Sequence, residues 1–436
     1  MAARILRSAD TTGARLVALA STTTTIRGAV ARISFGAWFE LYDLFMTAYI
    51  SLGLIRAGLF TATSPSPFAF SGFASFVSCG FAGMFFGTII FSGISDRFGR
   101  KAAFTWSLVW YSICTLVMAF MPDGLLIDLW RFLAGVGIGV QLVTSDAYTS
   151  EIVPKEERGR WVAFTQVVAY TSIPVVALLA YLLVPHRILG LDGWRYVAMF
   201  GALGGVLIWF VLPGLPDSSR WQSAHEKVAH TGPGFALKTI FSPFYRSRTI
   251  MMVVFNLLQT VGFYGFNSWV PIFLASQGVE FTHSLQYSFL IAIVNPLGPV
   301  LAMIYAERFQ RKWQICVLAL VVGGVGLCFA MARAPLLLVA FGTVVTLANA
   351  WFSATFHTYQ AELFPTRIRA QAVGFVYAWS RFSSIFIPFL IAAVLRANGT
   401  LGVFAMICAA MILVALDIGI LGPKTNGRDL DELAPL

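Results

Sequence analysis

Runs of about twenty apolar residues recur along the whole chain and alternate with short polar segments, most of them basic. A helix of about 20 residues crosses a hydrocarbon core ~30 Å thick. The pattern therefore predicts an all-α membrane protein with twelve transmembrane helices. The predicted spans are 33–55, 70–94, 102–121, 125–148, 161–184, 194–212, 250–274, 284–305, 314–332, 335–357, 371–395 and 400–421.

The composition agrees with a chain embedded in a lipid bilayer. Of its 436 residues, 58% are hydrophobic and 11% are charged, whereas soluble domains average about 45–50% and about 25%. A soluble fold could not cover its surface with so few charges. The net charge of +10 does not indicate nucleic-acid binding, because the basic residues lie between the apolar runs. The five cysteines lie inside apolar runs without Cys-x-x-Cys spacing, so we expect neither a metal centre nor a cofactor.

The distribution of basic residues predicts the orientation. An even number of spans places both termini on one side, and the tails and loops of that side carry 23 Lys and Arg residues against five on the other. Positively charged loops remain in the cytoplasm. We therefore expect both termini to be cytoplasmic, in a plasma membrane or, for a bacterium, the inner membrane.

Two polar loops repeat at a constant offset of 211 positions. Asp96–Lys101 (DRFGRK) returns as Glu307–Lys312 (ERFQRK), and Glu151 and Arg158 return as Glu362 and Arg369. This register predicts two parallel repeats of six helices. The predicted units are an N-terminal tail 1–32, a bundle 33–212, a cytoplasmic linker 213–249, a bundle 250–421 and a C-terminal tail 422–436.

Four further motifs are spread along the chain: Gly93–Lys101 (GISDRFGRK), Arg131–Gly139 (RFLAGVGIG), Leu215–Trp221 (LPDSSRW) and Ala361–Ala370 (AELFPTRIRA). With these motifs, the sequence resembles the major facilitator superfamily over essentially its whole length. The last two resemble segments of the sugar-porter and organic-acid branches. In the first span, Gly36–Asp43 (GAWFELYD) resembles the metabolite:proton and aromatic-acid:proton symporters. The resemblance implies alternating access between two bundles in a transporter that functions as a monomer.

Two acids lie three residues apart in the first span, Glu40 and Asp43. A carboxylate inside the membrane is costly, and two on one helical face repel each other, so at least one is expected to bind a proton. We predict that this pair couples transport to protons. The alternative is a structural pair that is permanently bridged to a neighbouring helix.

Two arginines lie inside spans. Arg381 is near the middle of the eleventh span, and its planar fork suits a substrate carboxylate; the alternative is a permanent ion pair with Glu40 or Asp43. Arg131 follows Asp128 by three residues, which favours an i,i+3 ion pair near the interface. The resemblance instead implies that Arg131 takes part in proton coupling, and both interpretations remain open.

Uncharged and loop residues complete the candidate sites. Asn256, Gln259, Asn267 and Asn295 either bind substrate or join helices. Asp146 and His357 are repeat-equivalent and either form an inner gate or are interfacial polar residues. The resemblance implies a cytoplasmic charge network that latches the two halves. Its predicted members, besides Asp146 and His357, are Asp96, Arg97, Arg100, Glu151, Arg158, Arg160, Glu307, Arg311, Glu362 and Arg369.

These features predict a secondary active transporter that carries a small organic acid or related metabolite together with a proton. The partners are then a small-molecule substrate, protons and lipid. A sugar-type porter or a proton-coupled exporter is the alternative with the same fold, and a nutrient sensor without transport activity is less favoured. We do not expect an enzyme, because the sequence lacks a recognisable catalytic motif.

Overall fold

The computed structural model describes residues 27–63, 66, 68–153, 158–211, 238–306, 308–365 and 368–426. Within these ranges, the side chains at 90–97, 143, 146, 147, 150, 151, 158, 159, 209, 211 and 370 are outside the description.

The described chain is almost entirely helical. Its first helix, α1, covers residues 27–49. The helices that follow are α2 Ser51–Arg56, α3 Phe73–Phe98, α4 Arg100–Met118, α5 Gly124–Ile152, α6 Arg158–Tyr170, α7 Ser172–Leu183, α8 Gly193–Val211, α9 Arg246–Asn267, α10 Val270–Ser276, α11 Phe281–Ala292, α12 Leu297–Tyr305, α13 Arg311–Met331, α14 Pro335–Glu362 and α15 Arg369–Leu421. A two-residue antiparallel hairpin, β1 Arg187–Ile188 and β2 Leu191–Asp192, precedes α8.

These elements form twelve membrane spans, as the apolar runs predict. Seven stretches of the described residues are long and apolar enough to cross a bilayer, the longest being Gln371–Leu421, which holds two spans. Two of the spans start earlier in the structure than the sequence predicts. The first span is helical from residue 27 and the seventh from Arg246, six and four residues before the predicted starts.

Four predicted spans are interrupted helices. The first span changes from α1 to α2 at Ile50. The fifth changes from α6 to α7 at Thr171, the seventh from α9 to α10 at Ser268 and Trp269, and the eighth breaks between Ala292 and Leu297. Pro271 lies in the first turn of α10 and Pro296 precedes α12. A proline there lacks the amide hydrogen that a continuous helix needs. Apolar length alone predicts none of these breaks.

The spans pack as two bundles related by the repeat. Within the N-terminal half, α5 packs against α3 and α4, and within the C-terminal half α14 packs against α12 and α13. Between the halves, α3 (span two) contacts the first part of α15 (span eleven), and α7 contacts α11 (spans five and eight). The repeat relates span two to span eight and span eleven to span five, so it converts one interface into the other. The packing thus has the symmetry that the 211-residue offset predicts.

Glycines allow α3 and α5 to approach backbone to backbone. A Cβ atom on Gly83 or Gly87 would collide with a carbonyl oxygen of α5, and one on Gly135 or Gly139 with a carbonyl oxygen of α3. The glycine faces of the second and fourth spans therefore face each other. This crossing fixes the position of α5, which carries Arg131.

We call the end of the bundle that carries residue 27 and Asn426 the terminal side, and the end that carries β1 and β2 the hairpin side. On the hairpin side, aromatic side chains join the two halves. The ring of Phe68 lies 5.1 Å from that of Phe389, and Phe73 meets Trp269 edge-on at 5.3 Å. The Arg56 guanidinium lies 5.0 Å from the centre of the Phe281 ring. These contacts close the hairpin side.

Spans eleven and twelve are continuous in α15 except at one residue. Gly399 has φ 65° and ψ −168°, outside the helical region. The chain reverses there, because the neighbouring Thr400 bonds Ser276 on the hairpin side whereas Asn426 bonds Arg311 on the terminal side. A residue with a Cβ atom rarely adopts this positive φ, so the turn requires glycine.

Candidate functional site

Each half of the protein holds one buried arginine in its centre. Arg131 on α5 is 2% exposed and Arg381 on α15 is 4% exposed. Burying a guanidinium without an anion costs several kcal/mol. The groups around each arginine therefore indicate what the centre of the protein does.

Arg131 forms a buried ion pair with Asp43 on α1. Its Nη1 donates to Asp43 Oδ2 at 2.6 Å, and its Nη2 donates to the Asp43 carbonyl oxygen at 3.0 Å and to Thr47 Oγ1 at 2.5 Å. Thr115 on α4 donates to the other carboxylate oxygen of Asp43 at 2.7 Å. The i,i+3 ion pair with Asp128 is therefore not formed, and that interpretation is wrong for this conformation. The arginine instead ties α5 to α1.

Arg381 is held by two tyrosine hydroxyls. Its Nη1 donates to Tyr264 Oη on α9 at 2.8 Å, and its Nη2 donates to Tyr377 Oη at 3.2 Å. Tyr377 precedes it by four residues, one helical turn, so both side chains lie on the same face of α15. In the described part of the chain, no carboxylate is within ion-pair distance of Arg381. The permanent ion pair with Glu40 or Asp43 is therefore absent.

Aromatic rings from both halves surround Arg381. The guanidinium carbon lies 5.1 Å from the centre of the Tyr377 ring and 5.9 Å from that of Tyr264. Tyr170, at the end of α6 in the N-terminal half, is close enough to both tyrosines to interact electrostatically and lies beside Ser353 of α14. The site thus combines one cation with an aromatic lining that spans the two halves.

His357 indicates the side from which this site is reached. Its ring meets Tyr377 at 5.0 Å, yet the side chain is exposed. It lies five residues before the end of α14 on the terminal side. On the hairpin side, Phe81 of α3 and Tyr264 close the space above Arg381 with ring centres 4.5 Å apart. The conformation is therefore open towards the terminal side and closed towards the hairpin side.

Glu40 occupies a position between the two arginine sites. It is 3% exposed and lies one turn before Asp43, towards the terminal side. Its carboxylate is within electrostatic range of both Tyr111 and Arg381, whereas Arg131 bonds Asp43. The two acids of the first span therefore share Tyr111 as a neighbour, and Asp43 is the one that pairs with Arg131.

The four predicted amide residues separate into different environments. Gln259 donates to Ser380 at 3.1 Å, next to Arg381, and so belongs to the site. Asn256 is nearer the terminal side and donates to the Met252 carbonyl. Asn295 donates to the Ala292 carbonyl at the break in span eight, which gives it a structural role.

Asn267 lines a small cavity that lies between the two arginine sites. Arg131 and Thr47 line it from the N-terminal half, and Tyr264 lines it from the C-terminal half beside Asn267. Because Tyr264 also bonds Arg381, the cavity links the Asp43 ion pair with the Arg381 site.

The charge network is described mainly in the C-terminal half. Arg311 pairs with Glu362 at 3.2 Å and with Asn426 Oδ1 at 3.0 Å, and Arg369 donates to the Phe364 carbonyl at 3.3 Å. Arg160 is exposed and Arg100 is half-buried. The side chains of Asp96, Arg97, Asp146, Glu151, Arg158 and Glu307 lie outside the description. The predicted latch between the halves therefore stays a prediction.

Several residues that contact the two arginines or the partners of those arginines were not predicted from the sequence. Tyr377 was detectable, because a tyrosine four residues before an arginine within a span shares its face. Thr47 was detectable in the same way from Asp43. Thr115 and Tyr170 come from other helices, and only the packing of the spans brings them to the site.

Comparisons with known proteins agree with this architecture. Two family models match separate parts of the chain: "Sugar (and other) transporter" over residues 30–236 and "Major Facilitator Superfamily" over residues 290–429. The crystal structure of a D-xylose-proton symporter superposes with a TM-score of 0.76 at 21% identity, covering 92% of this chain and 99% of that one. This likeness concerns the fold.

Relatives extend over nearly the whole chain. A putative metabolite transport protein of Bacillus subtilis, YyaJ, is 29% identical over 90% of this chain and 91% of its own length. The niacin transporter NiaP of Acinetobacter baylyi is 27% identical over 92% and 94%. A gentisate transporter of Corynebacterium glutamicum is 25% identical over 79% and 78%.

Proposed function

We propose that this chain imports a small carboxylate together with a proton. The chain belongs to the major facilitator superfamily and is a membrane transporter of a small molecule rather than an enzyme. The substrate class, the proton and the direction of transport are the parts proposed here. Each is supported by a different feature of the site.

The substrate class rests on Arg381. This guanidinium is buried at the centre of the protein, and its hydrogen bonds in the described structure go to two neutral tyrosine hydroxyls. A substrate carboxylate would supply the missing anion and accept a bidentate pair of hydrogen bonds. The rings of Tyr264, Tyr377 and Tyr170 favour a flat or unsaturated acid, because aromatic faces pack well against such groups.

The relatives support the same class. Niacin and gentisate are both aromatic carboxylic acids, and they are the compounds named for two of the relatives. We propose that Arg381 binds the carboxylate in this chain, with Gln259 and His357 nearby to contact ring substituents.

The proton is assigned to the Asp43 ion pair. Asp43 is fully buried, and Arg131, Thr115 and Thr47 surround it with fixed donors. Protonation of Asp43 breaks the ion pair and frees the guanidinium, so it changes the contacts between α1 and α5. A group that loses its charge and its partner in one step is suited to bias a conformational equilibrium.

The direction follows from the basic residues of the terminal side. We propose that this side is cytoplasmic, as the excess of Lys and Arg in its tails and loops indicates. The conformation described here is then inward-facing. Import of a monocarboxylate with one proton moves no net charge, so the inward pH gradient of a bacterial membrane drives it.

Purified protein in proteoliposomes with an internal pH-sensitive dye tests the proposal. We would add pairs of compounds that differ only in charge: nicotinate with nicotinamide, and benzoate with benzamide. An acid that acidifies the lumen while its amide does not, and that loses this effect in Arg381→Gln but not in Arg396→Gln, supports the proposal. Equal signals from acid and amide, or full activity of Arg381→Gln, would contradict it. Intact pH-driven uptake in Asp43→Asn would remove Asp43 as the proton site.

A sugar or other polyol is the second candidate substrate. Gln259 Oε1 and Asn256 Oδ1 are buried acceptors with no donor in the described structure. Sugar hydroxyls could donate to both, and the N-terminal half matches a sugar-transporter family model. Stabilisation of the protein by a sugar that persists in Arg381→Ala, together with silence of the acid panel, would favour this candidate.

A further inference from the structure

A second buried acid lies on α5 three residues before Arg131 and takes no part in the Asp43 ion pair. Asp128 on α5 is 2% exposed, and neither of its carboxylate oxygens has a hydrogen-bond partner among the residues that the structure describes. A buried carboxylate without a donor or a counterion is strongly destabilised. This acid needs either a proton or a partner.

Among its described groups, the neighbouring helix α3 offers Asp128 a neutral hydroxyl within hydrogen-bonding reach and no cation. Ser75 is next to Asp128, but its hydroxyl donates to the Gly72 carbonyl at 2.9 Å. Cys79, one turn further along α3, also lies within electrostatic range of Asp128, and its thiol is a weak donor. Among the described groups, Arg131 is therefore the cation best placed to form an ion pair with Asp128.

Arg131 has an unused donor and lies on the same helical face. Its Nε has no acceptor, while its two Nη atoms bond the Asp43 carboxylate and carbonyl and Thr47. Asp128 precedes it by three residues, about one helical turn closer to the hairpin side. Gly80 lies against this guanidinium, because a Cβ atom there would be 3.1 Å from Nε. The missing side chain leaves room for the guanidinium to turn.

The three charges also require a proton. If Asp43 and Asp128 were both ionised, the cluster with Arg131 would carry a net charge of −1 inside the membrane. One bound proton makes it neutral. With Asp43 bonded to the arginine and Asp128 unbonded, the neutral carboxyl of this conformation is Asp128.

We propose that Asp128 is a second proton station, which exchanges its proton for the Arg131 guanidinium. Starting from the arrangement described here, the guanidinium turns from Asp43 to Asp128. Asp128 loses its O–H proton, and Asp43 gains one. Asp43 then releases that proton to the terminal side, and Asp128 is reloaded from the hairpin side as Arg131 returns to Asp43. One proton crosses per cycle and no further reactant is needed.

This inference rests on proton coupling through Asp43, and it is tested first without any substrate. The experiment compares the thermal unfolding of the detergent-solubilised wild-type protein with that of Asp43→Asn, Asp128→Asn and the double variant. If Asp128 can receive Arg131, Asp43→Asn retains an ion pair and the double variant loses more stability than the two single variants together. Asp192→Asn, which removes a half-buried acid of the hairpin that pairs with the exposed Arg187, serves as the control.

A strictly additive double variant would overturn the inference, because Asp128 would then be no partner of Arg131. It would leave the proposed symport untouched, since no transport is measured. A double variant that cannot be purified while both single variants can is the extreme form of the expected loss.

A transport measurement provides the second test. For whichever acid is carried, the ratio of pH-gradient-driven uptake to substrate counterflow should fall at least tenfold in Asp128→Asn. Asp128→Glu should recover part of this ratio. A purely structural role would lower both activities together and leave their ratio unchanged, which would overturn the inference even where the stability test agrees.

Discussion

Arg381 donates to the hydroxyl of Tyr264, and the ring of Tyr264 packs edge-on against Phe81 of the opposite half. One side chain thus contacts the candidate substrate-binding cation and also closes the hairpin side above it. A substrate carboxylate that binds Arg381 therefore lies next to the contact between the halves. Binding and opening are connected through a single tyrosine.

Tyr264→Phe should separate these two roles. The ring and its contact with Phe81 remain, whereas Arg381 loses an acceptor that orients it. A hydrogen bond to a charged group is worth about 1.5–3 kcal/mol, so we expect the half-saturating acid concentration to rise about tenfold or more. Tyr287→Phe, whose ring stacks on His283 at the hairpin side, is the matched control. Unchanged affinity in Tyr264→Phe would mean that Arg381 is oriented by other groups.

Gly83→Ala should destabilise the protein strongly. The added methyl group would collide with the Phe132 carbonyl oxygen of α5, and a backbone atom cannot move aside as a side chain can. We expect a loss of about 3 kcal/mol or failure to fold. Gly374→Ala is the control, because a Cβ atom there meets nothing within 4 Å. Thermal unfolding of the two variants measures the difference, and equal stabilities would refute the close crossing of α3 and α5.

Asn426→Ala should loosen the C-terminal tail from the terminal side. The Asn426 side chain accepts from Arg311 and donates to the carbonyls of Ala306 and Phe309 at 2.7 and 2.9 Å. Loss of these bonds should lower the free energy of unfolding by about 1–3 kcal/mol and expose the tail to protease. Asn398→Ala, at an exposed position on the hairpin side, should change neither. A protease-resistant tail in Asn426→Ala would show that other contacts hold it.

The proposed orientation predicts which residues a membrane-impermeant maleimide reaches in intact cells. In a chain whose five cysteines are replaced by serine, Leu189→Cys in the hairpin, 93% exposed, should be labelled directly. Lys424→Cys, also exposed, should be labelled only after the cells are permeabilised. The reverse pattern would invert the assignment of the two sides, and the conformation described here would then be outward-facing.

The number of spans and the symmetry of their packing could be predicted because both depend on patterns that are local or strictly periodic. Apolar length gives the spans, and the 211-residue offset gives the symmetry that relates the α3–α15 contact to the α7–α11 contact. The helix breaks at Thr171 and Ser268 could not, because apolar residues are equally suited to a continuous and an interrupted span.

The charged residues of the site could be predicted from the sequence, but the residues with which they pair could not. A buried arginine or carboxylate is costly wherever it lies, so Asp43, Arg131 and Arg381 stand out in the sequence. Spacing along one helix favoured Asp128 as the partner of Arg131, but the structure pairs Arg131 with Asp43, 88 residues away. That choice depends on how α1 rotates against α5, which side-chain packing over the whole bundle decides.

The turn at Gly399 connects spans eleven and twelve through a single non-helical residue, without a loop between the two helices. A connection that departs from helical geometry at one residue has little freedom to absorb movement. Tilting of the segment that carries Arg381 is therefore transmitted to the final span. The last span lies against α13 and ends where the chain meets Asn426. A molecule bound at the centre can thereby move the end of the final span on the terminal side, although it makes no contact there.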